Sequence, residues 1–268
     1  MEWLRNPVSA VPVTAVLFDF DGTISTLRCG WEEVMEPLMV ELIAGIGADD
    51  ETVRDMVRKY IDESTGIQTI FQMKWLAEQV RARNPAAEQN PWVYKAEYNH
   101  RLMVSVMKRR QSLSDGSANP EDFIIRGSRE LLKLLTERGV SLYVASGTDD
   151  ADVKQEVAAL GLSKFFTEIK GAPESREDCS KESVIRELIE GKGIPGEQLS
   201  VVGDGKVEIA IGRENAARTL GVASNEKARE GVDSVKRARL IKAGADVITG
   251  DFLDIAALEK FFFGGTGK

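Results

Sequence analysis

The chain has 268 residues, 43% hydrophobic and 29% charged, with a formal net charge of -8. That length accommodates one large α/β domain or a core plus a smaller domain, and the apolar fraction is enough for a real core. The acidic balance argues against a general nucleic-acid binder, and no apolar run approaches the ~20 residues of a membrane-spanning helix.

The N-terminus has no basic start followed by a long apolar core, so it does not read as a secretory signal; a cytoplasmic protein is expected. Cys29 and Cys179 lie far apart, in no metal-binding spacing, and read as free thiols of a reducing compartment. His100 is the only histidine, which argues against cysteine–histidine catalysis and histidine-rich zinc sites.

The first element is a strand from Val13 to Phe18, short and rich in Val and Leu, as in a parallel sheet buried on both faces. It ends abruptly in Asp19-Phe20-Asp21-Gly22-Thr23. Period-two alternation puts Asp19 and Asp21 on one side of the chain, at the end of a strand where open α/β sheets bind ligands. Two buried carboxylates so close repel each other, and a divalent cation or a bound proton would offset that. The plain alternative is a strand end followed by an Asp-Gly turn.

From Ile24 to Phe123 the pattern is helical, with no strand. Four apolar sets recur at helical spacing, beginning at Trp31, Val53, Ile67 and Val93, with breaks at Gly45, Gly47, Gly66 and the Asn84–Pro91 loop. The basic run Lys108-Arg109-Arg110 reads as a solvated helix end. After a polar loop at Ser112–Pro120 the chain alternates helix and strand. Helices are expected at 129–138, 151–160, 179–190, 206–213, 226–243 and 252–261, and strands at 140–145, 166–170, 199–202, 219–223 and 246–249. This alternation implies a parallel sheet covered on both faces. The tail from Gly264 is expected to fray and lacks the glycine spacing of a phosphate-binding loop.

Three further stretches carry chemistry. The strand before Ser146-Gly147-Thr148 ends in a hydroxyl and backbone N–H groups suited to an anion, though Ser-Gly-Thr is also an ordinary turn. The strand before Gly203-Asp204-Gly205 is followed by Glu208, giving two carboxylates four residues apart that can share a helix face; the alternative is a cap at Asp204 and a solvated Glu208. Lys181 opens a helix against the macrodipole, which an anionic partner would explain; otherwise it is a solvent charge. Carboxylates without histidine or cysteine suit a hard cation such as Mg²⁺, and a serine, backbone amides and a lysine suit phosphoryl oxygens.

Asp19-Phe20-Asp21-Gly22-Thr23, Ser146, Lys181 and Gly203-Asp204-Gly205-Lys206-Val207-Glu208 resemble, in order, the four signature motifs of the haloacid dehalogenase-like (HAD) hydrolase superfamily. Within it the chain is most similar to phosphoglycolate phosphatase-like and β-phosphoglucomutase-like members. The resemblance implies a Rossmann-like doubly wound α/β core (residues 1–24 and 125–268) with an inserted all-helical cap (25–124). It implies that Asp19 is the nucleophile, forming a transient aspartyl-phosphate, and that Asp21 is the acid and base. It implies that Mg²⁺ is held by Asp19, the Asp21 backbone carbonyl and Asp204, with Glu208 supporting the metal shell. Ser146, Lys181 and backbone N–H groups near Phe20 and Gly147 would hold phosphoryl oxygens.

Two departures stand out. The family usually has aspartate at the position of Glu208, and the proline that often follows the motif lysine is absent after Lys181, for which Lys170 and Lys192 are rivals. An acid at Asp21 sets the chain apart from relatives that cleave carbon–halogen or carbon–phosphorus bonds. The resemblance thus implies a Mg²⁺-dependent phosphatase of a small phosphorylated metabolite, a monomer or homodimer. The alternatives are a β-phosphoglucomutase-like phosphomutase and a non-catalytic binding module. Arg28, Trp31, Thr69, Gln72 and Lys74 are candidates for the substrate-facing side of the cap, their orientation being undetermined by sequence.

Overall fold

The computed structural model describes residues 1–5, 11–45, 47, 50–173 and 181–264. Its centre is a seven-stranded sheet in the order β1-β7-β6-β5-β2-β3-β4. The strands are β1 (Glu2–Trp3), β2 (Ala15–Phe18), β3 (Ser141–Asp149), β4 (Glu168–Ala172), β5 (Leu199–Gly203), β6 (Arg218–Val222) and β7 (Val247–Thr249). All neighbours pair in parallel except β1, a two-residue edge strand antiparallel to β7 that the sequence did not signal.

The chain builds β2, β3 and β4 outward on one side, then crosses back to lay β5, β6 and β7 on the other. The winding therefore reverses beside β2, the place where open α/β sheets bind ligands. The buried strand runs divide by alternation. Val16, Phe18, Leu142, Val144 and Val202 face one apolar cluster, with side chains from α5 (Ser128–Glu137), α6 (Asp150–Ala159) and α10 (Ile255–Phe263). Ala15, Leu17, Tyr143, Ala145 and Val201 face another, with Val184 and Ile185 of α7 (Lys181–Arg186). Helices α8 (Lys206–Glu214) and α9 (Ser234–Ala243) complete the cover beside β6 and β7. The core is thus a parallel sheet covered on both faces, as the strand–helix alternation implied, and a Rossmann-like doubly wound layer, as the family resemblance implied.

Between β2 and α5 stand α1 (Trp31–Ala44), α2 (Glu51–Ser64), α3 (Thr69–Arg83) and α4 (Pro91–Ser114). They enclose an apolar cluster of their own, built from residues at the expected helical spacing: Met35, Leu38, Val53, Val57, Leu76, Val80, Tyr98 and Leu102. Tyr60 and Trp75 stack with ring centroids 3.8 Å apart. These helices form a cap seated on the core. Arg109 is not a solvated charge: its Nη1 donates to the carbonyls of Leu27 (2.6 Å) and Cys29 (3.0 Å), bracing the segment that leads into the cap. His100 is exposed and Cys29 is a free, partly buried thiol; Cys179 and the tail beyond Gly264 lie outside the described residues.

Several expected boundaries shift. Strand β3 runs on through Asp149 instead of ending at Ala145, with a register irregularity against β4. The helix expected from Glu226 begins only at Ser234. Gly231 there has φ +78°, and Asp233 caps the helix by accepting from the N–H groups of Val235 and Lys236, both at 2.9 Å. The helix expected at 179–190 is α-helical only to Arg186 and widens into a π-turn at Glu187–Gly191. Helix α4 extends to Ser114, into the expected loop, and α10 starts three residues later than expected. Among the described residues no helix is long and apolar enough to cross a membrane.

Candidate active site

Strands β2, β3 and β5 lie side by side, so their carboxyl ends bring the sequence motifs together. The Asp19 N–H donates to the Val202 carbonyl (2.8 Å), tying the residue after β2 to β5. The turn that follows closes on the Phe20 carbonyl, which accepts from the N–H groups of Ile24 and Ser25, both at 2.9 Å. Gly22 has φ +72°, and a Cβ there would lie 2.5 Å from Asp204 Oδ2. Only glycine allows both the turn and the approach of that carboxylate.

Asp19 is 7% exposed. Its Oδ1 accepts from the Phe20 N–H (2.8 Å), and its Oδ2 is ion-paired with Lys181 Nζ at 2.9 Å. Lys181, at the start of α7, also donates to Glu208 Oε2 (3.1 Å). Glu208 Oε1 accepts from the Gly205 N–H (2.6 Å), so one oxygen caps α8 and the other faces the cluster. The lysine that looked unfavourable at a helix start is thus buried between two carboxylates. Lys170 and Lys192 are instead engaged by Glu168 away from the cluster, and Lys170 also by Glu187.

Asp19, Asp204 and Glu208 each offer a carboxylate oxygen, and these oxygens lie within 4.8 Å of one another. All three residues are buried. Burial pushes the Asp19 carboxyl well above the ordinary range; Glu208 and Asp204 push the same way, while Lys181 opposes them. Burial pushes Asp204 upward, but Lys236, with Arg239 and Lys181, holds it below its ordinary value. An all-oxygen, net-negative set of this kind fits a hard divalent cation such as Mg²⁺.

Asp21 stands apart from that cluster. Its Oδ2 accepts from Thr148 Oγ1 (2.8 Å) and Ser146 Oγ (3.3 Å). Its Oδ1 is buried without a hydrogen-bond partner, 4.0 Å from Arg28 Nε. Arg28 is in turn held by Glu156 (2.7 Å) and Asp152 (3.2 Å) of α6. The two aspartates of the first motif therefore sit in different environments, one against an ammonium and two carboxylates, the other against two hydroxyls and a guanidinium.

Between core and cap lies a cavity of about 90 Å³. Asp19, Asp21, Ser146, Gly147, Thr148, Lys181 and Asp204 line it from the core. Arg28, Trp31, Thr69 and Gln72 line it from the other side, with Tyr98 and Leu102; Lys74 is not among the lining residues and lies over the Phe71 ring instead. The cap loop Thr65–Gln68 reaches the core through glycines. Gly66 has φ +93°, and a Cβ there would lie 2.9 Å from Glu208 Oε2; a Cβ on Gly147 would lie 2.9 Å from the Ile67 carbonyl. Lys95 of α4 forms a buried ion pair with Asp149, which Asn99 also contacts at 3.1 Å.

Sequence reasoning missed Thr148, Gly66, Tyr98 and Lys236, whose ammonium pairs with both Asp204 and Glu226. Thr148 carried a signal, since it lies two residues past Ser146 on an extended chain and so on the same side. Glu226 and Lys236 carried none, as both fell within one long expected helix.

Residues 13–215 match the family model described as haloacid dehalogenase-like hydrolase. A 5'-nucleotidase from Pseudomonas aeruginosa is 23% identical over 207 residues, covering 77% of this chain and 81% of that protein. Among solved structures, a predicted phosphatase from Clostridium acetobutylicum superposes with a TM-score of 0.60 at 20% identity, covering 93% of this chain and 97% of the other. A predicted phosphoglycolate phosphatase from Haemophilus somnus gives 0.62 at 14% identity, covering 94% and 99%. A β-phosphoglucomutase from Clostridium difficile gives 0.62 at 15% identity, covering 93% and 97%. At these identities the structural likenesses establish the fold.

Proposed function

The chain belongs to the haloacid dehalogenase-like hydrolases, and from that premise we propose that it is a Mg²⁺-dependent phosphatase of a small phosphorylated metabolite. The observation that carries this reading is the pairing of a buried Asp19, held by Lys181 beside Asp204 and Glu208, with a separate Asp21 across the same cavity. Residues 1–24 and 125–268 serve as the catalytic core and 25–124 as the cap.

A carboxylate oxygen of Asp19 attacks phosphorus, an O–P bond forms, and the bond to the leaving alkoxide breaks. Asp21, oriented by Thr148 and Ser146, gives its proton to that alkoxide. Water then attacks the aspartyl-phosphate, Asp21 takes the proton back, and inorganic phosphate leaves with Asp19 regenerated. Lys181, the Ser146 hydroxyl and the backbone N–H groups at Phe20 and Gly147 hold the phosphoryl oxygens as charge spreads over them. Mg²⁺, held by Asp19, Asp204, the Asp21 carbonyl and Glu208, would neutralise charge between nucleophile and phosphoryl group. The cap loop excludes water from the cavity while the leaving group is present.

The cavity volume bears on substrate size. About 90 Å³ is well below the ~300–1,000 Å³ of sites that enclose drug-sized ligands. A leaving group of a few carbon atoms matches a space of that size. The test is product release. Steady-state inorganic phosphate from a panel of phosphorylated metabolites is expected, with loss of at least ~10³-fold on Asp19→Asn. Isomerisation of a hexose phosphate without phosphate release would overturn the choice in favour of a phosphomutase.

A further inference from the structure

Helix α9 approaches the site from behind. Lys236 Nζ lies 2.7 Å from Asp204 Oδ2 and 2.6 Å from Glu226 Oε1, and 3.4 Å from Ser224 Oγ. Ser224 itself donates to the Gly22 carbonyl at 2.5 Å, in the turn that follows Asp21. Lys236 is 9% exposed, and the Lys236 and Glu226 side chains are 11% and 12% exposed. One turn further on, Arg239 Nη2 donates to the Asp204 carbonyl (3.2 Å). Asp204 is thus held by its side chain and its backbone from a single helix. Its other carboxylate oxygen, Oδ1, has no hydrogen-bond partner among the described residues.

We propose that Lys236 is a positioning residue for the metal-facing carboxylate: it takes up Asp204 Oδ2 and leaves Oδ1 as the oxygen presented to a cation, while Glu226 cancels its charge. This rests on the metal-dependent reading above. An ammonium alone beside a cation site would repel a divalent ion. The Lys236–Glu226 pair carries no net charge, so it fixes the rotamer of Asp204 without weakening the attraction of the carboxylate cluster. Outer partners of ligating carboxylates act in this way, and their loss commonly costs 10–100-fold in metal affinity.

The experiment is titration of the full, metal-free chain with Mn²⁺, the free ion being counted by electron paramagnetic resonance without substrate. The wild type is expected to bind Mn²⁺. K236M should raise its Kd roughly 10–100-fold, and K236R, which keeps donor and charge, should return it to within about threefold of wild type. E226Q, which leaves the ammonium uncompensated, should also weaken binding, and K236M/E226Q should be no weaker than K236M alone. Unchanged or tighter binding by K236M would overturn the proposal, the latter because the ammonium would then be competing with the cation. Should K236M fail to fold, E226Q decides: weaker binding supports the proposal and unchanged or tighter binding overturns it. A wild type that takes up no Mn²⁺ overturns the metal-dependent function itself, and is told apart by that arm alone.

Discussion

Gly66→Ala tests whether the cap loop closes on the core as the geometry requires. Gly66 has φ +93°, a conformation that costs an L-residue about 1–2 kcal/mol. The new methyl would also lie 2.9 Å from Glu208 Oε2, closer than carbon and oxygen tolerate. Glu208 has little room to yield, because Oε1 is held by the Gly205 N–H at 2.6 Å and Oε2 by Lys181 at 3.1 Å. Both penalties fall on the closed arrangement, since a loop lifted from the core relaxes its backbone and loses the contact. Together they disfavour closure by about 2 kcal/mol, which is roughly 30-fold in an equilibrium constant. The assay is kcat/KM for a phosphate monoester, with the thermal midpoint and Mn²⁺ affinity as controls. A roughly 30-fold fall in kcat/KM with both controls near wild type is expected. Activity within threefold of wild type would refute the reasoning, because closure would then not bring residue 66 against Glu208.

Three other substitutions probe separate parts of the structure. Thr148→Val removes the 2.8 Å hydrogen bond to Asp21 Oδ2, and loss of that hydrogen bond, at about 1 kcal/mol, should lower kcat roughly fivefold while Mn²⁺ affinity is unchanged. Equal loss of metal binding would show that Thr148 serves the metal cluster instead. Lys95→Met leaves Asp149 with only Asn99; the pair is mostly buried, and about 2 kcal/mol of stability should be lost in urea unfolding, whereas an unshifted midpoint would mean the pair is effectively solvated. Glu32 tests the pH dependence: burial first, then Glu226, raises its carboxyl from 4.5 to about 7. Folded protein then keeps a proton that the unfolded chain releases, so stability declines as pH rises from 4.5 to about 7, by at most about 3 kcal/mol. In metal-free protein Glu32→Gln should flatten that decline and raise the melting midpoint more at pH 8 than at pH 5; parallel pH profiles for variant and wild type would contradict it.

Much of the architecture was legible because it rests on periodicity. The run at Ala15–Phe18 is apolar at every position, and only a strand covered on both faces needs that; the structure sends Val16 and Phe18 to one cluster and Ala15 and Leu17 to the other. The four helical sets likewise mark faces that meet in the cap. Boundaries were less legible where capping or pairing overrides local preference. Asp233 stops the helix that Glu226 was expected to begin, and pairing with β4 draws β3 out to Asp149.

For the site, the division lies between residues that a motif carries and residues that packing delivers. Asp19, Asp21, Lys181, Asp204 and Glu208 follow a strand end or open a helix, and Ser146 lies in the last residues of β3, so a parallel sheet brings them together, and their motifs could be read from the sequence. It could not divide their partners. That Asp19 meets Lys181 and Asp21 meets Thr148 follows from the side-by-side order of β5, β2 and β3. Nor could it distinguish Lys236 from any surface lysine. A charge is hidden only when another element comes to cover it, and that α9 turns Lys236 toward Asp204 is decided by how the helix packs on the sheet. Short-range chemistry is written in the order of the residues; the choice of which charge meets which is made by tertiary packing.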